Sequence, residues 1–541
     1  MAGSVEIFIL ILGATLCSSL TRQNLGGQWG ATGGDAGIII SNATVPGGIF
    51  SDLMNSGEIG DIFYGTGDSD YSWVGLSDWT YSTTFTVDEE LLAHANVHLV
   101  FEGLDTFATI LINGQEVGTS QNMFVRYVFD VKQQLQFSSP VNVAAALANE
   151  TINDYVIPPE CPDEQYNGIC HANRIRKMQA SFSWDWGPAF ASVGIWKDVY
   201  LEAFNDAVIK YVVASPSKNT DGSWKLSVTT YLTARGPVAG IVSVILETEN
   251  GTPVLVDVDV QEDVSVDGEI AVTKYLDVSA DLVNTWWPNG YGTQDLYNLK
   301  VTFTGENEQD EKTVRVGFRT VELIQEQLEQ GLSFYFKVNG YPIFAMGANE
   351  IPLSVLPERG QNRETIRQVL QTVKDVNMNM LRVWGGGVYE SDYFYDLADE
   401  FGILIWHDFM FACAMYPADS VYLSNVVDEV RHQLKRLGSH TSIAVWAGNN
   451  ENESALSQNW YGTGNNFDLY KNDYIKLYVD TIQPEVLKIV PGTIFITSSP
   501  TNGAESDQEG HVAQNPSDPL YGDGTIHMKH FLALLPHFLN F

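Results

Sequence analysis

The chain has 541 residues, 44% of them apolar and 12% aromatic, enough for several domains with sizeable cores. Its 29 Lys and Arg against 67 Asp and Glu leave a net charge of −38, which excludes nucleic acid and anionic membranes as partners by simple repulsion. Such a charge suits solubility in an acidic or extracellular compartment.

The N-terminus reads MAGSVEIFILILGATLCSSLTRQ, with an apolar core over residues 7–16 followed by the small residues Cys17, Ser18 and Ser19. This pattern predicts a secretory signal over residues 1–19, although Glu6 stands where a basic flank is usual. No other stretch approaches the roughly 18 apolar residues of a membrane span. Residues 20–205 carry short alternating runs between turn clusters, such as FATILINGQEVG with its Asn113-Gly114 turn, and predict a β-sandwich. Residues 206–320 are β-rich again and suit a small immunoglobulin-like sandwich, with a hairpin expected at Asn250-Gly251. From residue 321 the period changes. GYPIFAMGANE, MNMLRVWGGG, ILIWHDFMFA, SIAVWAGNN and TIFITSSPTNG read as strands, and YGDGTIH as a sixth. Helical segments separate them, the first carrying Ile366, Val369, Leu370 and Val373 on one face. The alternation implies a parallel sheet, and its count points to a (β/α)8 TIM barrel over 321–541, truncated after about six strands. An open doubly wound sheet is the rival, disfavoured because no Gly-rich nucleotide loop follows the first strand.

Four Cys occur. Cys161 and Cys170 bracket a short loop and suit a local disulfide in an oxidising compartment, with two free thiols as the alternative. Cys413 reads as a buried small hydrophobe. Asn42, Asn149 and Asn250 begin glycosylation sequons, which make sense in a secreted protein. Asn452 begins another, but it lies inside a motif with a different task.

Active sites of barrels sit where the strands end. Those ends hold Asn349-Glu350, Arg382-Val383-Trp384, His407-Asp408 and Asn449-Asn450-Glu451. Rings, amides and acids together suit a neutral polyol, whose C–H faces stack while its hydroxyls pair. Glycoside hydrolysis needs two carboxyl groups, and Glu451 stands in the right place for one. The amides Asn449 and Asn450 could instead cap the next helix. His407-Asp408 lacks the further His that a metal site recruits, so no metal is expected. Ser498 and Ser499 lack a nucleophile elbow. A second cluster, SFSWDWGPAF, sets Asp185 between Trp184 and Trp186 ahead of a rigid Gly-Pro turn.

These segments, with VPGGIF, GIWKDV, WWPNGYG, FRTVEL, LRVWGGGVYE, DFMFACAMYP, WAGNNENE and SSPTNGAE, resemble glycoside hydrolase family 2, and within it the lysosomal-type β-mannosidases. The resemblance runs in one order from about residue 25 to 523. It implies a retaining, exo-acting enzyme that removes terminal β-D-mannose from oligosaccharides such as the Man-β-1,4-GlcNAc core of N-glycans. It implies Glu451 as the proton donor, Asn450, Trp184, Asp185, Trp186 and Trp384 as mannose contacts, and Glu453 as a bystander. It implies no cofactor or metal, a monomer, and delivery to the lysosome or secretion. The sequence departs from the pattern at Glu350 and Ser354, where an aromatic and an Asp are usual, and at His407 in place of Gln. The family nucleophile, a Glu at the end of strand seven, has no counterpart in this chain, which predicts a truncated and inactive form. The alternatives are an inactive carbohydrate-binding protein and another activity of the same family.

Overall fold

The structure is a computed structural model that describes residues 18–34, 37–135, 139–145, 157–159, 168–249, 251–262 and 268–523. The expected signal core, Cys161, Asn149, Asn250 and most of the sixth strand expected at 521–527 lie outside those residues.

The first unit is two facing antiparallel sheets. One has six strands in the order Ile38–Val45, Gly27–Gly33, Trp79–Phe85, Ser139–Ala145, Phe107–Ile112, Gln115–Gln121. The other has four, in the order Thr21–Asn24, Val199–Phe204, Asn96–Phe101, Tyr127–Asp130. Alternation in Phe107–Ile112 sends Ala108, Ile110 and Ile112 into the core with Leu99, Leu201 and Trp79. Asn113 and Gly114 both take positive φ, 53° and 78°, the turn that matches the twist of a tight hairpin. Asn42 is exposed on its strand.

A second sandwich pairs the three strands Ala207–Lys218, Trp224–Ala234 and Glu269–Val278 with a sheet containing Val238–Leu246, Val254–Glu262, Tyr297–Thr304 and Glu308–Val316. Trp224, Leu299, Phe303 and Phe318 fill the space between. The hairpin expected around residue 250 is present, with Leu246 opposite Val254.

The third unit holds five parallel strands, Gly347–Glu350, Met380–Val383, Leu404–Asp408, Ile443–Ala447 and Ile494–Ile496, side by side in chain order. Helices Arg363–Asp375, Asp392–Phe401 and Ser420–Leu437 and a helical run over 467–489 connect them. Asn362, Ser391 and Asp419 cap the first three, their side chains accepting from backbone N–H groups of the first turn. A doubly wound sheet reverses direction about its first strand. This one advances strand by strand, so right-handed crossovers stack every helix on one face.

GYPIFAMGANE is not one strand. Tyr341–Ile343 turns back antiparallel onto Tyr335–Val338, and the parallel strand starts only at Gly347. Asn379 holds the break: its Oδ1 accepts from Met346 N at 3.0 Å and its Nδ2 donates to Phe344 O at 3.0 Å.

The first and third units are joined by buried charge. Arg176 donates to Glu429 through Nε at 2.8 Å and through a terminal nitrogen at 2.6 Å, and Tyr389 Oη donates to the same carboxylate at 2.8 Å. The Arg176 guanidinium lies 3.9 Å from the Phe411 ring centre. Removing either partner would leave a charge uncompensated in a dry interface.

Candidate active site

The fourth strand ends on a sharp bend. Glu451 has φ 62°, a left-handed conformation, and its N–H donates to Ser499 O at 3.0 Å. The bend separates neighbouring side chains into different tasks. Asn449 is fully buried, bonded to Ser498, Thr497 and the Asn452 N–H. Asn452 is buried too, donating to Tyr478 Oη at 2.7 Å and accepting from Ala414 N at 3.1 Å, which removes it from any glycosylation. Glu453 turns inward, where its Oε1 accepts from Ser506 Oγ at 2.8 Å and Ala513 N at 2.9 Å. Burial pushes that carboxyl up to about 7.

Glu451 itself is only partly buried. Its Oε2 accepts from Cys413 Sγ at 3.0 Å and lies 3.4 Å from Asn450 Nδ2. Cys413 is therefore not the packed hydrophobe that its apolar neighbours suggest. It has φ 46°, is partly exposed, and burial followed by the Glu451 charge drives its thiol well above its ordinary range. The thiol stays protonated and acts as a donor. The charge of Asp185 acts on it as well, so Asp185 and Glu451 share one neighbourhood.

Behind Asn450 stands a polar frame. Arg382 donates to Asp408 Oδ2 at 2.6 Å, to Asn450 Oδ1 at 2.9 Å and to Asn349 Oδ1 at 3.2 Å. Gly385 N adds a bond to Asp408 Oδ2 at 3.1 Å. Burial lifts Asp408 to about 6 against the pull of Arg382. With the guanidinium fixed, Asn450 can point only one way, its Nδ2 toward Cys413 and Glu451.

Trp184 and Trp186 flank the tip of a two-stranded hairpin, Phe182–Trp184 with Gly187–Ala189. The hairpin leaves the first sandwich and leans on the segments that follow the second and third parallel strands: Ala180 N donates to Gly386 O at 2.9 Å, and Gln179 Nε2 to Ala412 O at 2.8 Å. Trp384 is the contact point, with ring centres 4.6 Å from Trp184 and 5.6 Å from Trp186, both edge-on. Asp185 and Trp186 remain exposed at the tip, Trp186 by 45%. Trp184, Trp384, Asn450 and Glu451, which come from widely separated stretches, thus border one region with Asp185.

His407 and Glu350 do not belong to that region's working surface. His407 is buried between Tyr395 Oη, 2.7 Å from Nε2, and the Asp408 carbonyl, 2.8 Å from Nδ1; burial lowers it to about 3. A carbonyl only accepts, so Nδ1 carries the proton, the phenol donates to Nε2, and the imidazole is neutral. Among the described residues no cluster of His, Cys, Asp and Glu could hold a metal ion. Glu350 is buried against Glu390, and burial together with that second carboxyl raises it far above a free Glu. Asp523 accepts from Ser499 Oγ at 2.8 Å and Thr501 N at 2.6 Å. The described strand-end carboxylates other than Glu451 are thus each committed to a partner.

Residues 25–197 match the family model for the glycosyl hydrolase 2 galactose-binding domain-like unit, and 207–319 that for glycosyl hydrolases family 2. The chain is 42% identical over 538 residues to beta-mannosidase of Bos taurus, covering 96% of this chain and 60% of that protein. The chain belongs to glycosyl hydrolase family 2. Within the family, probable beta-mannosidase of Caenorhabditis elegans is 35% identical, over 93% of this chain and 57% of its own. The crystal structure of beta-D-mannosidase from Dictyoglomus thermophilum superposes with a TM-score of 0.82 at 31% identity, covering 95% of this chain and 62% of that one. This family 2 chain spans about 60% of the length of the Bos taurus relative.

Sequence reasoning missed three groups in this family 2 site. Arg382 sits in a quoted motif without being given a task. Asp408 is read among the strand-end acids and as half of a metal pair, but its bond to Arg382 is not foreseen. Cys413 lay hidden in the apolar run FMFACAMYP, where nothing signals a left-handed backbone. Cys170 is disulfide-bonded to a partner outside the described residues.

Proposed function

We propose that the chain carries the mannose-binding and proton-donating half of a retaining, exo-acting β-mannosidase. Glu451 protonates the leaving oxygen, Asn450 holds a hydroxyl of the same sugar, and Trp184, Asp185, Trp186 and Trp384 wall the subsite. The observation that carries this reading is the Trp-Asp-Trp hairpin seated on Trp384, with Asp185 and Glu451 both acting on Cys413. A carboxylate bonded to a protonated thiol and an oriented amide, yet open on one side, is poised to exchange a proton.

The parallel unit reads as an arc of a (β/α)8 barrel, whose chain-order strands put all the chemistry at one end. Retention requires a second carboxylate about 5–5.5 Å from the first. The described acids at the ends of the parallel strands other than Glu451 are engaged with other partners, so none is assigned that role. On this reading the described residues bind the mannoside and donate the proton. The substrate is the terminal β-D-mannose of N-glycan cores, and no cofactor takes part. Lysosomal or secreted delivery follows, with a Cys161–Cys170 disulfide and glycans at Asn42, Asn149 and Asn250.

Release of p-nitrophenol tests this on the chain and on a form extended to the length of its relatives. The extended form should cleave the β-mannoside and leave the β-galactoside and β-glucuronide intact. Cleavage of either of those at a comparable rate would sink the mannosidase reading. Mannoside binding without turnover in both forms would favour the carbohydrate-binding alternative.

A further inference from the structure

A cavity of about 1100 Å³ opens where the two sandwiches and the helical layer of the parallel unit meet, away from the site above. The chain has more than twice as many acids as bases, yet this cavity is lined by nine Lys and Arg against eight Asp and Glu. Most of those charges are already paired: Arg22 with Glu202, Arg126 with Glu102, Arg436 with Asp392. Among the lining nitrogen groups with no carboxylate bond among the described residues, three come from three different units. Lys197 of the first sandwich has its Nζ 4.3 Å from the Trp196 ring centre. Lys312 of the second donates only to the Lys210 carbonyl, at 2.8 Å. His432, on helix Ser420–Leu437, has Nδ1 2.7 Å from Tyr211 Oη. In the tautomer that accepts from the phenol, Nε2–H is left as a further donor.

We propose that this three-unit cavity binds a small phosphate-bearing anion, free phosphate or a phosphomonoester, between Lys197, Lys312 and His432. Phosphate offers several strong acceptor oxygens and close to two negative charges, matching donors that line one cavity from separate elements. The local field fits. Burial and then Arg436 hold Lys197 down at about 8, against the opposing charges of Asp392, Glu102 and Glu390, and the same two influences hold His432 at about 3, against Glu102. Trp196, Tyr200 and Tyr211 line the cavity beside these donors. Because the three donors come from three units, the anion would also tie their relative placement to ligand binding.

Titration calorimetry of the whole chain with inorganic phosphate at low ionic strength tests the proposal. One saturable site is expected, with a Kd below about 1 mM. Lys197→Met and Lys312→Met keep most of the stem volume and should each weaken binding at least about tenfold, the loss of one charge-assisted bond. Lys274→Met, on a strand away from the cavity, should bind like wild type, and circular dichroism should show all three variants folded. A hexose phosphate that binds more tightly than inorganic phosphate identifies an ester as the occupant; equal affinity identifies the free anion. Absence of saturable heat, or wild-type affinity in folded Lys197→Met, overturns the proposal.

Discussion

Glu451 and Glu453 are two residues apart and live in opposite worlds. The first is partly open, bonded to a thiol and beside an amide. The second is sealed under the segment 506–513, bonded to a hydroxyl and a backbone N–H. The difference comes from one backbone choice, the left-handed φ of 62° at Glu451, which turns the chain from strand to helix within a single residue. Such a conformation is strained for a residue with a side chain and persists only where surrounding bonds hold it. Here the Glu451 N–H bond to Ser499 O and the Asn449 bond to Asn452 N hold it. Identical chemistry in the sequence is therefore presented to the site in one place and sealed as a packing strut in the other.

The contrast can be broken at several points. Glu451→Gln removes the proton and should lower kcat/KM on an unactivated β-mannoside by about 10²- to 10⁴-fold in the extended form, read by steady-state kinetics. Arg382→Met strips the partner from buried Asp408, and chemical denaturation should show a loss of about 3–5 kcal/mol, offset in part as Asp408 takes up a proton. Cys413→Ala takes one donor from Glu451 and should cost roughly 1 kcal/mol in activation free energy, with Cys413→Ser recovering part of it.

Glu453→Gln should barely alter turnover and should show itself only in the pH dependence of stability. The Glu453 carboxyl has a folded-state value of about 7, above its ordinary 4.5. Between those values the folded state holds a proton that the unfolded state has released, so stability falls as pH rises from about 4.5 to 7 and is flat beyond. Glu308, at about 7, and Asp408, at about 6, act in the same direction, both through burial. Melting temperature should therefore be higher at mildly acidic pH than at neutral pH, and Glu453→Gln should flatten that slope. An unchanged slope would show that Glu453 is not the buried acid described above.

Much of the architecture was legible because its signals are local. Asn113-Gly114 requires a hairpin, and the stripe Ile366, Leu370, Val373 requires a helix with one buried face; both are present. The pairing of Trp184 with Trp384 is not legible from spacing, because 200 residues separate them and the interface between the first and third units, including Arg176 and Glu429, brings them together. Cys413 was missed because local hydrophobicity outvotes a backbone twist that leaves no mark in composition. GYPIFAMGANE looked continuous because the side chain that breaks it, Asn379, lies more than thirty residues on.

The central claim is that the hairpin of the first sandwich and the strand ends of the parallel unit form one mannose subsite. Calorimetric binding of a β-mannoside to the 541-residue chain, compared with Asp185→Ala and Trp384→Ala, tests it most directly. The account predicts binding to the mannoside that the β-galactoside does not compete with and that falls at least about tenfold in each variant. Equal affinity for the galactoside, or wild-type binding in either folded variant, would contradict it.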